Sequence, residues 1–509
     1  MREQEIYDFV IIGSGLGGLE CAYILASEGH KVIVLEKNHK IGGNLQVFSR
    51  DKCAFDTGVH YIGSLDEGEC LNQFFKYFGL LDTLKWKRMD DDCFDMIRFE
   101  DGKEYALGQG YERFERNLIN DFPEEEDAIK TYCAKVQEIC SKFPLYNLQN
   151  SVGGNYLKDE ELLSLNAADY INSLTRNVRL RAVLAGNNPL YAGVKSKSPF
   201  YVHALISNSY IMGAYRLKDG GSQIATQMSK YIRQFGGTVL KRKKVIGANY
   251  NEDGHIIEVL IEGGETVKGK QFISNVHPAV SINIFGENRF RKAFRKRIKN
   301  LENTISTFIV HLVFEKNSFK QLNHNTYQYY SNNVWDGADY DDDSWPKNFF
   351  VSTPVTSSGD EYAESMSIMA YMKYDDVKQW GKVSNTVAKP NERGLEYEAF
   401  KELKAQVIIN KLEGVYPGIK SKIKSVHTST PLTFRDYIGD NEGSLYGILK
   451  DSNSPLKSLI NSKTKVPNLY FTGQNLIFHG ILGATIGAFV TCFNFIDRET
   501  LMKKVNAFK

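Results

Sequence analysis

The sequence predicts an α/β fold in which a Rossmann-like dinucleotide-binding domain is discontinuous and an α+β domain is inserted into it. Three observations predict it. Residues 6–12, IYDFVII, form an apolar run that enters the glycine-rich turn GSGLGG. That turn opens a helical pattern, and a second apolar run, KVIVLEK, follows it. Glycine-rich strand-to-helix text returns near the other end, in NLYFTGQNLIFHGILGATIGAF, with text of a different kind between.

Each element follows from its spacing. A short apolar run bounded by turn residues suits a buried strand, so residues 6–12 read as one. In LECAYILASEG, Leu19, Ala22, Tyr23, Leu25 and Ala26 recur at helical spacing and Gly29 stops the helix. KVIVLEK closes the strand–helix–strand unit. From about Leu71 to Ile211 the pattern changes to longer helices with charged faces, such as DAIKTYCAKVQEICSKF. A helix, SQIATQMSKYIRQFGG, then precedes short β-like runs punctuated by turns at NEDG and EGGE. Residues 305–314 and 367–372 read as strands of another sheet, residues 395–413 as a helix, and YQYYSNNVWDGADYDDDSWP as a loop or lid. The expected organisation is a dinucleotide-binding domain from residues 1–80, 215–285 and 436–509, with a substrate domain from residues 81–214 and 286–435.

Composition removes several classes. Hydrophobic residues make up 42% and charged residues 24%, the balance of an ordinary globular chain. The 63 Lys and Arg against 61 Asp and Glu leave a net charge of +2, which gives no reason to expect nucleic acid. Seven scattered cysteines with no C-x-x-C pair argue against a disulfide framework or a metal site and favour a reducing compartment. The opening MREQEIYDFVIIGSG has no signal-peptide pattern, so a cytoplasmic, non-secreted protein is expected. Leu476 to Ile496 is long and apolar enough to suggest a membrane span, but it follows a cofactor-type strand directly, so burial within the domain is expected instead.

The first motif carries specific chemistry. Gly13, Gly15 and Gly18 make G-x-G-x-x-G between a strand and a helix. The first permits a tight turn, the second lets backbone approach a pyrophosphate, and the third lets helix and sheet pack closely. The helix start offers free N–H groups to phosphate. Glu36 ends the second strand, where an acid accepts hydrogen bonds from a ribose hydroxyl. Gly42-Gly43 follow six residues later. This E-x-x-x-x-x-G-G pattern resembles the flavoprotein amine oxidase and phytoene desaturase superfamily, whose cofactor is FAD. Many members carry a basic residue after the glycine pair, where this chain has Asn44.

FDTGVHYIG, residues 55–63, resembles the all-trans-retinol 13,14-reductase (retinol saturase) and carotenoid isomerase branch of that superfamily. So do YIMGAYRLKDGGSQIATQMSKYIRQFGGTVL, FISNVHP and TPLTFRDYIGDNEGSLYGI, and together these matches span nearly the whole chain. The C-terminal strand to Gly473-Gln474 and the helix beginning near Gly483 resemble the superfamily's closing FAD motif. The resemblance implies non-covalent FAD held by Gly13, Gly15, Leu16, Gly17, Gly18, Glu36, Lys37, Gly42, Gly43, Asn44, His60, Tyr61, Val245, Gly473, Gln474, Gly483, Ala484 and Thr485.

The resemblance further implies reduction of a C=C bond in a lipophilic polyene, with a hydride from the flavin and a proton from a nearby acid. Candidate acids are His60, Tyr61, Tyr437 and His479; Asp56 reads as a turn-fixing acceptor of backbone N–H groups. No second G-x-G-x-x-G follows a strand, so either NAD(P)H binds transiently at the flavin face as electron donor or electrons come from another carrier. Alternative readings are a carotenoid or phytoene desaturase, a carotenoid cis-trans isomerase, a flavin amine oxidase, or a flavin-binding scaffold without catalysis. Seven of the eleven residues from Arg289 to Lys299 are basic, while Phe290, Phe294, Ile298 and Leu301 keep helical spacing. Two readings stand for residues 289–301: an apolar stripe lying on the core, or peripheral association with a membrane surface.

Overall fold

The computed structural model describes residues 5–149, 159–359, 361–439 and 442–508. The first four residues of the opening stretch, and Asp440 and Asn441 of the segment TPLTFRDYIGDNEGSLYGI, lie outside these.

Ile6–Ile12, Val32–Leu35 and Thr238–Leu240 pair in parallel, and Ile6–Ile12 pairs in parallel with Thr266–Ser274 on its other edge. The last half of Thr266–Ser274 takes up Leu469–Phe471, again in parallel, while its first half continues into the antiparallel strands Ile256–Ile261 and Val245–Tyr250. This seven-stranded sheet draws on three separated parts of the chain. Val32–Leu35 is buried along its whole length, and Ile6–Ile12 and Thr266–Ser274 are buried over their last residues. Ile12, Leu35, Ser274 and Phe471 sit in register at one end, so the loops that follow them converge on one crevice.

The helix Leu16–Ser27 packs against Gly480–Cys492, and the contact excludes water completely enough to bury Glu20. Thr485 Oγ1 donates to Glu20 Oε1 at 2.7 Å, and burial holds that carboxyl well above its usual pKa. The apolar C-terminal segment is therefore a 13-residue helix inside the domain. Among the described residues no helix is long and apolar enough to cross a membrane.

A second seven-stranded sheet runs Ile423–Ser429, Ser306–Phe314, Ser365–Met372, Asn348–Ser352, Asn325–Tyr329, Asp95–Phe99, Glu104–Leu107. Every residue of Ser306–Phe314 is buried. Phe308, Val310 and Leu312 meet the helix Leu395–Val415 in one apolar cluster, while Thr307 turns to the crevice. Three strands of this sheet differ from expectation, Glu104–Leu107 among them, since it falls in the stretch read as helical. Tyr327–Tyr329, read as the start of a loop, belong to the strand Asn325–Tyr329, whose polar residues are buried on both faces and so show no alternation. Asp95–Phe99, in a stretch read as helical, pairs in parallel with that strand.

The basic segment forms the helix Lys292–Lys299. Phe290 and Ile298 are buried in the core beneath the first sheet, and Phe294 and Leu301 pack against it. The apolar stripe is thus spent on the core, leaving Arg291, Lys292 and Lys296 exposed.

Candidate functional site

The turn after Ile6–Ile12 is built for close approach. Gly13 has φ +93°, a conformation that favours glycine, and a Cβ on Gly18 would stand 2.2 Å from the Gly13 carbonyl oxygen. Gly15 forms a bridge with Gly42, and the Gly42 N–H donates to Ser14 O at 3.0 Å. A Cβ on Gly17 would meet Gly473 Cα at 3.0 Å, and Asn275 fills the space between these glycines. Three loops therefore meet almost without side chains, leaving their backbone open to the crevice.

Glu36 is fixed beside them. Ser14 N–H and Oγ donate to its Oε2 at 3.1 and 2.5 Å, and Asn38 N–H donates to Oε1 at 2.8 Å. The helices starting at Leu16 and Gly480 carry no side-chain cap, so no capping side chain takes up their first N–H groups.

One cavity of about 510 Å³ joins these features to the second sheet. Gly13, Gly15, Leu16, Gly17, Glu36, Lys37, Gly42, Gly43, Asn44, His60, Tyr61, Val245, Tyr437, Gly473, Gln474, His479, Gly483 and Ala484 all line it. Gly18 and Thr485 do not: Gly18 is pressed on the first strand's turn and Thr485 faces Glu20. Their place is in the packing that brings the two helix starts together.

Of the four candidate acids, three are badly placed or wrongly protonated for that role. The Tyr437 hydroxyl accepts from Val387 N–H at 2.9 Å, and its carbonyl accepts from Asn38 beside Glu36. It stands at the Glu36 end of the cavity, away from the wall formed by the second sheet. His479 donates from Nε2 to Ile448 O at 3.0 Å, which leaves Nδ1 as a bare acceptor with no partner. Burial, with Lys450 nearby, brings its pKa down to about 3. Burial and the Arg216 charge bring His60 down to about 4, and its Nε2 has no partner. Neither histidine carries a transferable charge-balancing proton at neutral pH.

Tyr61 is different. Its hydroxyl donates to Asp95 Oδ2 at 2.8 Å and lies 2.8 Å from the Tyr327 hydroxyl. Asn325 Nδ2 donates to Asp95 Oδ1 at 2.9 Å, and burial pushes Asp95 up to about 7. Tyr210 lies over the Tyr61 ring, with centroids 4.3 Å apart. Behind them Arg216 is almost fully buried, donating to Ser352 Oγ, His324 O and Asn325 Oδ1 at 2.6–2.9 Å. Asp56 accepts from Gly221 N–H at 2.7 Å, the turn-fixing contact its position suggests.

Residues 16–390 match the family described as flavin containing amine oxidoreductase. The chain belongs to this family. The all-trans-retinol 13,14-reductase of Danio rerio is 29% identical to it, covering 98% of this chain and 87% of that protein. The chloroplastic prolycopene isomerase 2 of an Oncidium hybrid cultivar is 24% identical, covering 95% and 84%. An oxidoreductase structure from Methanosarcina mazei superposes with TM-score 0.62 at 15% identity, over 94% of this chain and 98% of that one, which is a likeness of fold.

The cavity of this flavin oxidoreductase fits the cofactor its family carries. Side chains at the glycines between Gly13 and Gly18 would close the approach to backbone N–H groups that suit a pyrophosphate. The uncapped start of Gly480–Cys492 offers N–H groups and a positive dipole end to an anionic ring edge. Among the described residues no group of His, Cys, Asp and Glu is arranged to hold a metal ion.

The flavoprotein's sequence pointed to Tyr61 but not to its partners. Asp95, Arg216 and Tyr327 come from strands whose pairing is long-range; Arg216 stands in the segment YIMGAYRLKDGGSQIATQMSKYIRQFGGTVL, but nothing in that text marks it as a neighbour of Asp95. Asn275 had a signal, since it stands in FISNVHP at the end of a parallel strand. Lys450 had none; it lines the cavity, fully buried, and donates to Ser458 O at 2.9 Å.

Proposed function

We propose that this flavoprotein reduces a C=C bond of a lipophilic polyene of retinoid or carotenoid type, with FAD held non-covalently and NAD(P)H as a transient electron donor. One observation carries the choice of substrate class. Glu36 is the single carboxylate among the described residues lining the cavity, and Ser14 and Asn38 already occupy it. The wall formed with the second sheet is mainly aromatic and aliphatic, with Tyr210, Tyr327, Phe350, Met369, Leu205 and Ile206, and its polar members Ser209, Thr307 and Asn348 are uncharged. Such a wall gains by burying hydrocarbon and offers no anion to pair with a charged amine.

FAD supplies the hydride chemistry when bound. The chain supplies the rest. The Gly13–Gly18 turn and Asn275 seat the dinucleotide, Glu36 fixes its ribose, and the start of Gly480–Cys492 stabilises negative charge at the ring. Tyr61, Tyr210 and Phe350 hold the polyene flat and exclude water. Both curated relatives bear names of polyene-acting enzymes, and the isomerase name makes a redox-neutral reaction the competing outcome.

The test is anaerobic. Protein reduced with dithionite is expected to be reoxidised by retinoids or carotenoids, and protein in the oxidised state to be left unreduced by primary and secondary amines. Rapid bleaching of the oxidised flavin by an amine would replace this reading with amine oxidation.

We further propose that the protein resides in a reducing compartment, its seven cysteines being free thiols, and meets membranes through charge alone. Phe290 and Ile298 are buried, so Arg289, Arg291, Lys292 and Lys296 are what remains to face anionic headgroups. Changing those four to Glu is expected to weaken binding to phosphatidylserine vesicles at least about tenfold, at about 1 kcal/mol per cation. Equal binding by both proteins would remove the segment from any membrane role.

A further inference from the structure

The substrate wall contains a chain of hydroxyl groups that ends on a buried acid. Tyr327 and Tyr61 both line the cavity, and their hydroxyls are 2.8 Å apart. Tyr61 reaches Asp95 Oδ2 at 2.8 Å, and Asp95 is wholly buried behind it. The parallel register sets this up: Asn325 stands opposite Asp95, holding Oδ1, and Tyr327 lies two residues farther along the same strand. Phe350 packs against both tyrosine rings, with centroids 6.2 and 5.0 Å away.

The direction of this chain depends on one proton. With Asp95 ionised, Tyr61 donates to the carboxylate and Tyr327 donates to Tyr61, so no hydroxyl hydrogen is left for the cavity. With Asp95 protonated the order reverses. The carboxyl donates to Tyr61, Tyr61 donates to Tyr327, and the Tyr327 hydrogen is released toward the cavity.

We propose that Asp95, Tyr61 and Tyr327 form the proton-delivery chain for C=C reduction, with Asp95 as the proton source and Tyr327 as the group that meets the substrate carbon. This inference rests on the polyene-reductase reading. Bound reduced flavin would supply the hydride for one new C–H bond as the π bond opens, and would itself be left oxidised. The electron pair of the π bond takes the Tyr327 proton to form the second C–H bond. Tyr61 passes its proton to Tyr327, Asp95 passes its proton to Tyr61, and the resulting carboxylate is refilled from solvent between turnovers.

The charged and titratable surroundings fit a group that changes state near neutrality. Arg216 faces Asp95 from the strand Tyr215–Leu217 and favours the carboxylate, against the larger effect of burial, which favours the acid. Tyr210, Tyr446, Cys93 and His60 surround the cluster and stay uncharged there, each hydroxyl or thiol held high and the imidazole held low by burial. The acid sits where proton donation and recovery are both effective.

The test uses flavin-loaded protein and two readouts. In the infrared, wild-type protein is expected to show a carboxylic C=O band that disappears with a midpoint near pH 7 and is missing from Asp95→Asn. In stopped flow, reoxidation of dithionite-reduced wild type by a retinoid is expected to slow as pH rises through that midpoint. Asp95→Asn and Tyr327→Phe are each expected to lower that rate about 100-fold with flavin content retained, and Asp95→Asn to lose the pH dependence. Wild-type rates and pH profile in both variants would overturn the relay while leaving the reductase reading intact. A wild-type protein that no polyene reoxidises would overturn the reductase reading, and the relay with it.

Discussion

Replacing Gly15 by Val yields a folded, colourless protein. The backbone of Gly15 has φ −62°, ordinary for any residue, so the effect is one of contact and not of strain. A Cβ at this position would stand 2.8 Å from Asn275 Nδ2. The same side chain borders two more glycines, its Oδ1 lying 3.2 Å from where a Cβ of Gly17 would stand and 2.3 Å from where one of Gly473 would. The valine must therefore displace a wedge shared by three cofactor loops and fill the approach to the pyrophosphate. Overpacking of this kind costs about 3 kcal/mol, roughly 100-fold in the dissociation constant for FAD. Flavin absorbance per mole of purified protein measures it, with circular dichroism to show that the fold survives. Undiminished flavin content would remove the Gly13–Gly18 turn from the binding site.

Arg216→Met has the largest expected effect on stability. The guanidinium ties the strand Tyr215–Leu217 to the second sheet through Ser352, His324 and Asn325, and it is 1% exposed. Methionine fills much of the volume but leaves those three acceptors without their donor and removes the cation beside Asp95 and Asp56. Removing one member of a buried charged network costs about 3–5 kcal/mol. Denaturant midpoints of wild type and variant, both at one fixed flavin concentration, measure it. A change below about 1 kcal/mol would show that the strand is held by its apolar neighbours alone. The same variant would raise the midpoint of the Asp95 band, since Arg216 favours the carboxylate.

The two substitutions separate what the sequence makes legible from what it conceals. The Gly13–Gly18 turn could be read because strand, glycine spacing, helix and Glu36 all lie within one local unit. The C-terminal helix could be read for the same reason, although its start, expected near Gly483, lies three residues earlier at Gly480. The catalytic wall could not. Tyr61 meets Asp95 across 34 positions and Tyr327 across 266, and the Tyr327 strand is polar and buried along its whole length. Alternation, the usual sign of a strand, is absent where both faces are covered. His60 and His479 attracted attention as titratable types beside the flavin, yet burial holds both neutral. Tyr437 shows a further limit: the motif that contains it is family text, but only the fold reveals that its hydroxyl faces Val387 at the Glu36 end.

The central claim is that this flavoprotein adds hydrogen across a polyene double bond. Its most direct test is the mass of the product after single turnover of anaerobically reduced protein with all-trans-retinol, in water and in deuterium oxide. A product two hydrogens heavier than the substrate is expected in water, and in deuterium oxide both added positions carry non-exchangeable deuterium, because the transferable hydrogen of reduced flavin exchanges with solvent as the delivered proton does. A product of unchanged mass, or one that has lost two hydrogens, would contradict it.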